Sequence, residues 1–181
     1  GVDAPAVRYF GSSDFTIETW VRFHDLPPNS TAPPSSHYIP IMVAGNGVLS
    51  SSPTASSAWF IMLSPGSANP EFILGSYSCC AAAYAGHIST GALPLTTDTW
   101  YHLAFTRSGS TLRAFLDGVL TGEVTTSHNF IDLAQPIHIG GNFIFIANNV
   151  WQPNYLNGDM DDVKIYNGIS LYDAAFDDYF Q

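Results

Sequence analysis

Apolar and polar side chains alternate along much of this chain with a period of two, the spacing of a half-buried β-strand. Phe15-Thr16-Ile17-Glu18-Thr19-Trp20-Val21-Arg22-Phe23 sets apolar side chains at 15, 17, 21 and 23 among β-branched and polar ones. Trp100 to Arg107, Thr111 to Leu116, Val119 to Val124 and Met160 to Tyr166 read as further strands. Ala58 to Leu63 is a continuous apolar run and predicts a strand buried on both faces. Tyr38 to Ala44, Phe72 to Tyr77 and Ile137 to Gly140 complete the set, with Pro40 confined to a strand start or an edge. Asp117-Gly118 predicts a type I′ hairpin turn, because both residues tolerate positive φ. Asp25 to Ser36, with four prolines, and Gly45 to Ser57 read as loops. Residues 81–85 fit a loop or strand edge better than a short helix, and 141–157 read as one long loop. No helical period and no internal repeat interrupts this order. The pattern predicts a single all-β domain, an antiparallel β-sandwich.

Composition narrows the functional classes. Of 181 residues, 46% are hydrophobic, 14% aromatic and 11% charged, and the formal charge is −10. An ordinary soluble domain has roughly 25% charged residues. Disorder is excluded by the hydrophobic and aromatic content. Five Lys+Arg cannot supply the basic patch that nucleic acid or an anionic membrane needs. No run of 18 apolar residues predicts a membrane span. The start, Gly1-Val2-Asp3-Ala4-Pro5, has none of the features of a signal peptide. Cys79 and Cys80 are adjacent, which reads as two thiols beside a strand end rather than a disulfide framework. Asn29-Ser30-Thr31 is a glycosylation sequon. A surface of Ser, Thr, Asn and Gly suits an extracellular or virion-surface protein.

Three segments, taken in order, resemble a known family. They are Phe15 to Val21; Trp100 to Phe105 with Ser110 to Gly118; and Ile137 to Gly141 with Asn157 to Tyr166. Together they resemble the laminin-G-like, pentraxin-type branch of the concanavalin A-like lectin/glucanase superfamily, over about Phe10 to Leu171. The resemblance implies a jelly-roll sandwich of two curved antiparallel sheets. It covers one domain, with a short arm at 1–9 and a tail at 172–181. The family's opening strand is short here or supplied elsewhere. That leaves a sheet edge open to self-assembly or to a partner protein. The tail, with Asp173, Asp177 and Asp178 among Tyr and Phe, resembles endings of such domains in phage and other surface proteins.

The chemistry follows from the residue types. Glucanase members of the superfamily use two glutamates flanking an aspartate at alternate positions. This chain has only Glu18, Glu71 and Glu123, far apart, and no Glu-x-Asp-x-Glu. An enzyme, including a glycoside hydrolase, is therefore not expected. His102 and His138 read as sheet histidines. Calcium needs about six to eight oxygen ligands. The resemblance implies that Asp161 helps to hold a structural Ca²⁺, with Asp3 or Asp14 assisting; an equal alternative is that Asp161 and Asp162 cap turns or bond backbone N–H groups. Sugars stack C–H faces on aromatic rings and bond their hydroxyls to amides and carboxylates. Asn148, Asn149, Trp151, Asn154 and Tyr155 supply both kinds of group in one loop and form the candidate ligand site. Tyr77, Tyr84 and His87 form a second. Trp20, Trp59 and Trp100 are expected in the core. The leading function is a carbohydrate-binding or cell-surface adhesion module, its partner a glycan or cell-surface receptor. The alternative is a structural or decoration protein of a virion or extracellular assembly.

Overall fold

The computed structural model describes residues 10–27, 38–45, 48–49, 57–65, 69–77, 84–130, 137–141, 143–147 and 150–176. At 45, 48–49, 57–58, 76–77, 84–86, 143–147 and 150–154 it describes the backbone alone. The described residues contain thirteen strands and no helix. In chain order these are β1 Phe15–Phe23, β2 Ile39–Gly45, β3 Val48–Leu49, β4 Ser57–Ser64, β5 Glu71–Tyr77, β6 Tyr84–Ser89 and β7 Trp100–Ser108. They continue as β8 Thr111–Leu116, β9 Val119–Thr125, β10 Ile137–Ile139, β11 Phe143–Ala147, β12 Val150–Asn154 and β13 Gly158–Asn167.

One five-stranded sheet has the order β13-β1-β7-β8-β9, and a second has β10-β2-β4-β5-β6. Their ladders are antiparallel. Strands adjacent in space but distant in sequence, such as β1 and β13, make this a crossed-over sandwich rather than a meander. The expected all-β antiparallel architecture is what the chain adopts. The two-residue link between β8 and β9 has φ of 49° at Asp117 and 74° at Gly118, the positive pair a type I′ turn needs.

Odd positions of β1 and β7 face the interior. Phe15, Ile17, Val21, Phe23, Leu103 and Phe105 pack there against Trp59, Ile61, Leu63, Phe72 and Leu74 of the second sheet. Each large side chain buried this way contributes about 1.5–3 kcal/mol relative to exposure. At one end Phe10 stacks on Phe15, centroids 4.5 Å apart, and Phe130 meets Phe15 edge to face at 5.4 Å. A bridge between Gly11 and Phe130 closes the interior there. A smaller cluster, Val43, Phe60, Met62 and Ile73, lies on the other face of the second sheet. That agrees with an apolar run in β4 buried on both sides.

Two expectations need correcting. Residues 141–157 are not one loop: β11 and β12 form an antiparallel hairpin, and β11 pairs in parallel with β3. The segment is apolar enough for strands, but Asn148-Asn149 is a weaker turn signal than Asp-Gly. Trp100 is not core. It is 37% exposed, because Tyr101, Leu103 and Phe105 face inward and alternation sends Trp100 outward. Trp20, an even position of β1, is likewise only partly buried, against His102. Trp59 is wholly buried, as expected.

Candidate functional site

The link from β12 to β13 builds a rim at one end of the sandwich. Leu156 N–H donates to Gly140 O (2.8 Å), and Gly140 N–H donates to Ile41 O (2.9 Å), tying the link to the second sheet. Tyr155 is 63% exposed, and its ring lies on Gly141. A Cβ at position 141 would stand 2.6 Å from Tyr155 Cδ1, so only glycine lets the ring lie so close. The result is a supported aromatic face open to solvent.

The other expected ligand residues surround it unevenly. Position 154 pairs with 143 at the base of the β11–β12 hairpin, next to Tyr155. Trp151 pairs with Ile146 nearer the tip, roughly 10 Å along the strand from position 154. Asn148 and Asn149 lie outside the described residues. Of the second candidate set, the β5–β6 ladder pairs Tyr77 with Tyr84, and His87 is exposed on β6.

The expected calcium ligands do not converge where they are described. Asp14 stands at the start of β1, beside the end of β13, and its carboxylate accepts Gly109 N–H at 2.7 Å. Asp161 lies opposite Trp20, and its carboxylate accepts the Asp162 N–H at 2.8 Å, beside positive φ at Asp162. Six strand steps put Asp14 and Asp161 roughly 20 Å apart, too far to share one ion. Asp3 lies outside the described residues. Among the described residues no group of three His, Cys, Asp or Glu could hold a metal.

The outer face of the first sheet holds residues the sequence reading missed. Even positions of β1 and β7 carry Thr16, Glu18, Trp20, Arg22, Trp100, His102 and Thr106 there. Residues 168–176 cross this face as a strap, from Thr16 on β1 to the β8–β9 turn, where Phe176 N–H donates to Gly118 O at 2.9 Å. Thr16 Oγ1 donates to Ile169 O and accepts from Leu171 N–H. Thr106 Oγ1 donates to Tyr172 O at 2.9 Å. Tyr172 and Phe176 stack at 3.6 Å and cover Phe115, which is fully buried. Beneath them Tyr172 O–H donates to Glu18 Oε2 at 2.6 Å. His102 Nε2 stands 3.7 Å and Lys164 Nζ 3.6 Å from the same carboxylate. The Lys164 ammonium is held above its ordinary pKa by its bond to Asp162, against some burial, with Glu18 adding attraction.

The corner of the face where β1 and β7 bring Arg22 opposite Trp100 is crossed by no described segment, and this open end exposes Trp100. Arg22 Nε and Nη2 both donate to Asp159 Oδ2, at 2.9 Å and 2.7 Å. The guanidinium lies over the Trp100 ring, 5.0 Å from its centroid. His24 bridges two acids, Nδ1 to Asp98 at 2.7 Å and Nε2 to Asp159 at 3.2 Å. His24 N–H donates to Asn157 O, two residues from Tyr155, so this cluster adjoins the rim. The signal for it lay in the alternation itself: with odd positions inside, Arg22 and Trp100 had to be outside.

The three glutamates are held separately. Glu18 is buried under Tyr172, Glu71 on the second sheet accepts Ser89 O–H, and Glu123 accepts from Arg113 at 2.8 Å.

Residues 1–171 match a family model described as the concanavalin A-like lectin/glucanases superfamily. The chain belongs to this superfamily. No curated protein matches the chain. Solved superfamily-like structures include the CBM40 module of the Ruminococcus gnavus IT-sialidase, with 9% identity and a TM-score of 0.60. There 90% of this chain covers 80% of that one. Domain 4 of a Geobacillus stearothermophilus extracellular arabinanase, in complex with arabinotriose, gives 19% identity, a TM-score of 0.53 and coverage of 86% and 61%. A heptameric pentraxin from Limulus polyphemus gives 13%, 0.53, and 89% and 64%. The chain thus spans under two thirds of the latter two structures. At these identities the likeness is one of fold.

Proposed function

We propose that the protein is a non-catalytic carbohydrate-binding or cell-surface adhesion module working outside the cell. The observation that carries this reading is Tyr155, an exposed ring seated on Gly141 at the sandwich rim. A rigid aromatic face beside strand-end amides is what the C–H face and hydroxyls of a sugar require. Trp151 and Asn154 lie on the same hairpin, and Asn148 and Asn149, between its strands in sequence, complete the proposed contact set. Two fold relatives support the sugar class: the arabinanase domain in complex with arabinotriose, and the CBM40 module bound to alpha2,3 sialyllactose.

A hydrolytic role gains no support from the carboxylates. Glycoside hydrolysis by the usual route needs two carboxyls about 5–9.5 Å apart across a sugar. Glu18, the most deeply placed, is covered by Tyr172, and Glu71 and Glu123 stand on different sheets with their own partners. The test is a glycan array followed by calorimetric titration of the strongest hit. Tyr155→Ala is expected to weaken binding about tenfold, the equivalent of 1.4 kcal/mol. Unchanged affinity in Tyr155→Ala and Trp151→Ala, or no glycan bound by the parent protein, would overturn the reading.

A further inference from the structure

We propose that the open end of the first sheet's outer face, built from Trp100, Arg22, Asp159, His24 and Asp98, is a binding subsite for an uncharged sugar ring that presents adjacent hydroxyls. The proposal rests on the carbohydrate-binding reading and narrows it to a place and a ligand charge.

The ring comes first. Trp100 is 37% exposed, although its strand is otherwise buried up to Arg107. Arg22 covers one side of the indole and fixes its tilt, because the guanidinium is itself pinned twice by Asp159. An aromatic held still on a strand loses little entropy when a ligand stacks on it. The polar groups come next. Arg22 spends Nε and Nη2 on a single oxygen, Asp159 Oδ2, which also faces His24 Nε2. Arg22 Nη1 and Asp159 Oδ1 make no hydrogen bond among the described residues, nor does Asp98 Oδ2. A donor and an acceptor set side by side beside an indole match a pair of neighbouring hydroxyls, each of which both donates and accepts.

Charge selects against acidic sugars. Beside Trp100 the Arg22–His24 cluster sets two acids, Asp159 and Asp98, against one arginine. Elsewhere, each described Lys or Arg is already engaged. Arg107 is buried against the Gly109 and His128 carbonyls, Arg113 is paired with Glu123, and Lys164 with Asp162 and Glu18. With a net charge of −10, the described surface has no cation to spare for a carboxylate or sulfate.

The experiment uses a glycan array carrying neutral, sialylated, uronate and sulfated glycans. The best neutral hit is then titrated while the tryptophan indole N–H signals are followed by NMR. The Trp100 signal is the one missing from Trp100→Phe. The expected result is binding confined to neutral glycans, with a shift of the Trp100 signal. Trp100→Ala and Asp159→Asn should each weaken binding tenfold or more while the melting midpoint stays within about 4 °C of the parent's, and Trp100→Phe should recover part of the loss. A neutral glycan that binds Trp100→Ala as well as the parent, without moving the Trp100 signal, overturns this proposal and leaves the carbohydrate reading standing. So does binding confined to acidic glycans. An array on which nothing binds removes the carbohydrate reading and the subsite together.

Discussion

The two ends of the first sheet's outer face are written in the same alternating pattern and meet different fates. At one end Thr16, Glu18, Thr106 and Phe115 lie under the strap, where Tyr172 and Phe176 exclude water. At the other, Arg22 and Trp100 stand open, with only each other and a few acids for company. Polarity does not separate them, since a buried glutamate sits at the covered end. What separates them is where the chain returns after β13. Thr16 and Thr106 each bond a strap carbonyl, so the polar positions of the covered end act as anchors for backbone. At the open end no described segment crosses, and the side chains satisfy one another or face solvent. A ligand can therefore dock at the open end without first displacing part of the protein.

That contrast can be broken by substitution, beginning with the largest effect. Phe115→Ala removes a ring sealed beneath Tyr172 and Phe176, and should cost about 3–5 kcal/mol in denaturant unfolding. A loss under 1 kcal/mol would mean that the strap does not shield this face in solution. Tyr172→Phe deletes the donor to buried Glu18 Oε2 and should cost about 1–3 kcal/mol, since the carboxylate loses a partner it cannot replace with water.

A pH effect should come from the corner where the covered end meets the N-terminal bridge. There Arg107 is buried against the Gly109 and His128 carbonyls, and burial lowers its pKa while Asp14 opposes the shift. Burial, and then the Arg107 charge, lower the His128 pKa from 6.5. The unfolded chain therefore binds a proton at His128 more readily than the folded one. Stability from this site is full above the unfolded value and falls as the pH drops through it toward the folded value. Melting midpoints between pH 7.5 and 5.5 should fall, and His128→Asn should flatten that slope. The smallest effect is expected at the open end: Trp100→Ala should cost no more than about 1 kcal/mol, because it removes an exposed ring and one cation–π contact.

Much of the fold was legible in the sequence. The Phe15–Phe23 strand was readable to the residue, because four apolar positions keep one phase across it. The Asp117-Gly118 turn was readable because its backbone tolerates few other residues. The β11–β12 hairpin was missed, since Phe143 to Asn154 lacks both a clean alternation and a strong turn dipeptide. Trp100 and Trp20 were assigned to the core on hydrophobicity, although the phase of their own strands sends both outward. The open-end cluster joins β1, the approach to β7 and the start of β13, a meeting of Arg22, Asp98 and Asp159 that sequence spacing does not encode. Tyr155, by contrast, was named as a candidate from residue type alone. Its seat on Gly141 could be seen only in three dimensions.

Titrating a neutral oligosaccharide into parent, Tyr155→Ala and Gly141→Ala proteins tests the central assignment most directly. Gly141→Ala places a Cβ where the Tyr155 ring rests and should displace the ring without unfolding the domain. The account predicts that the parent binds and that both variants bind at least several-fold more weakly. Equal heats of binding for all three proteins, or none for the parent, would contradict it.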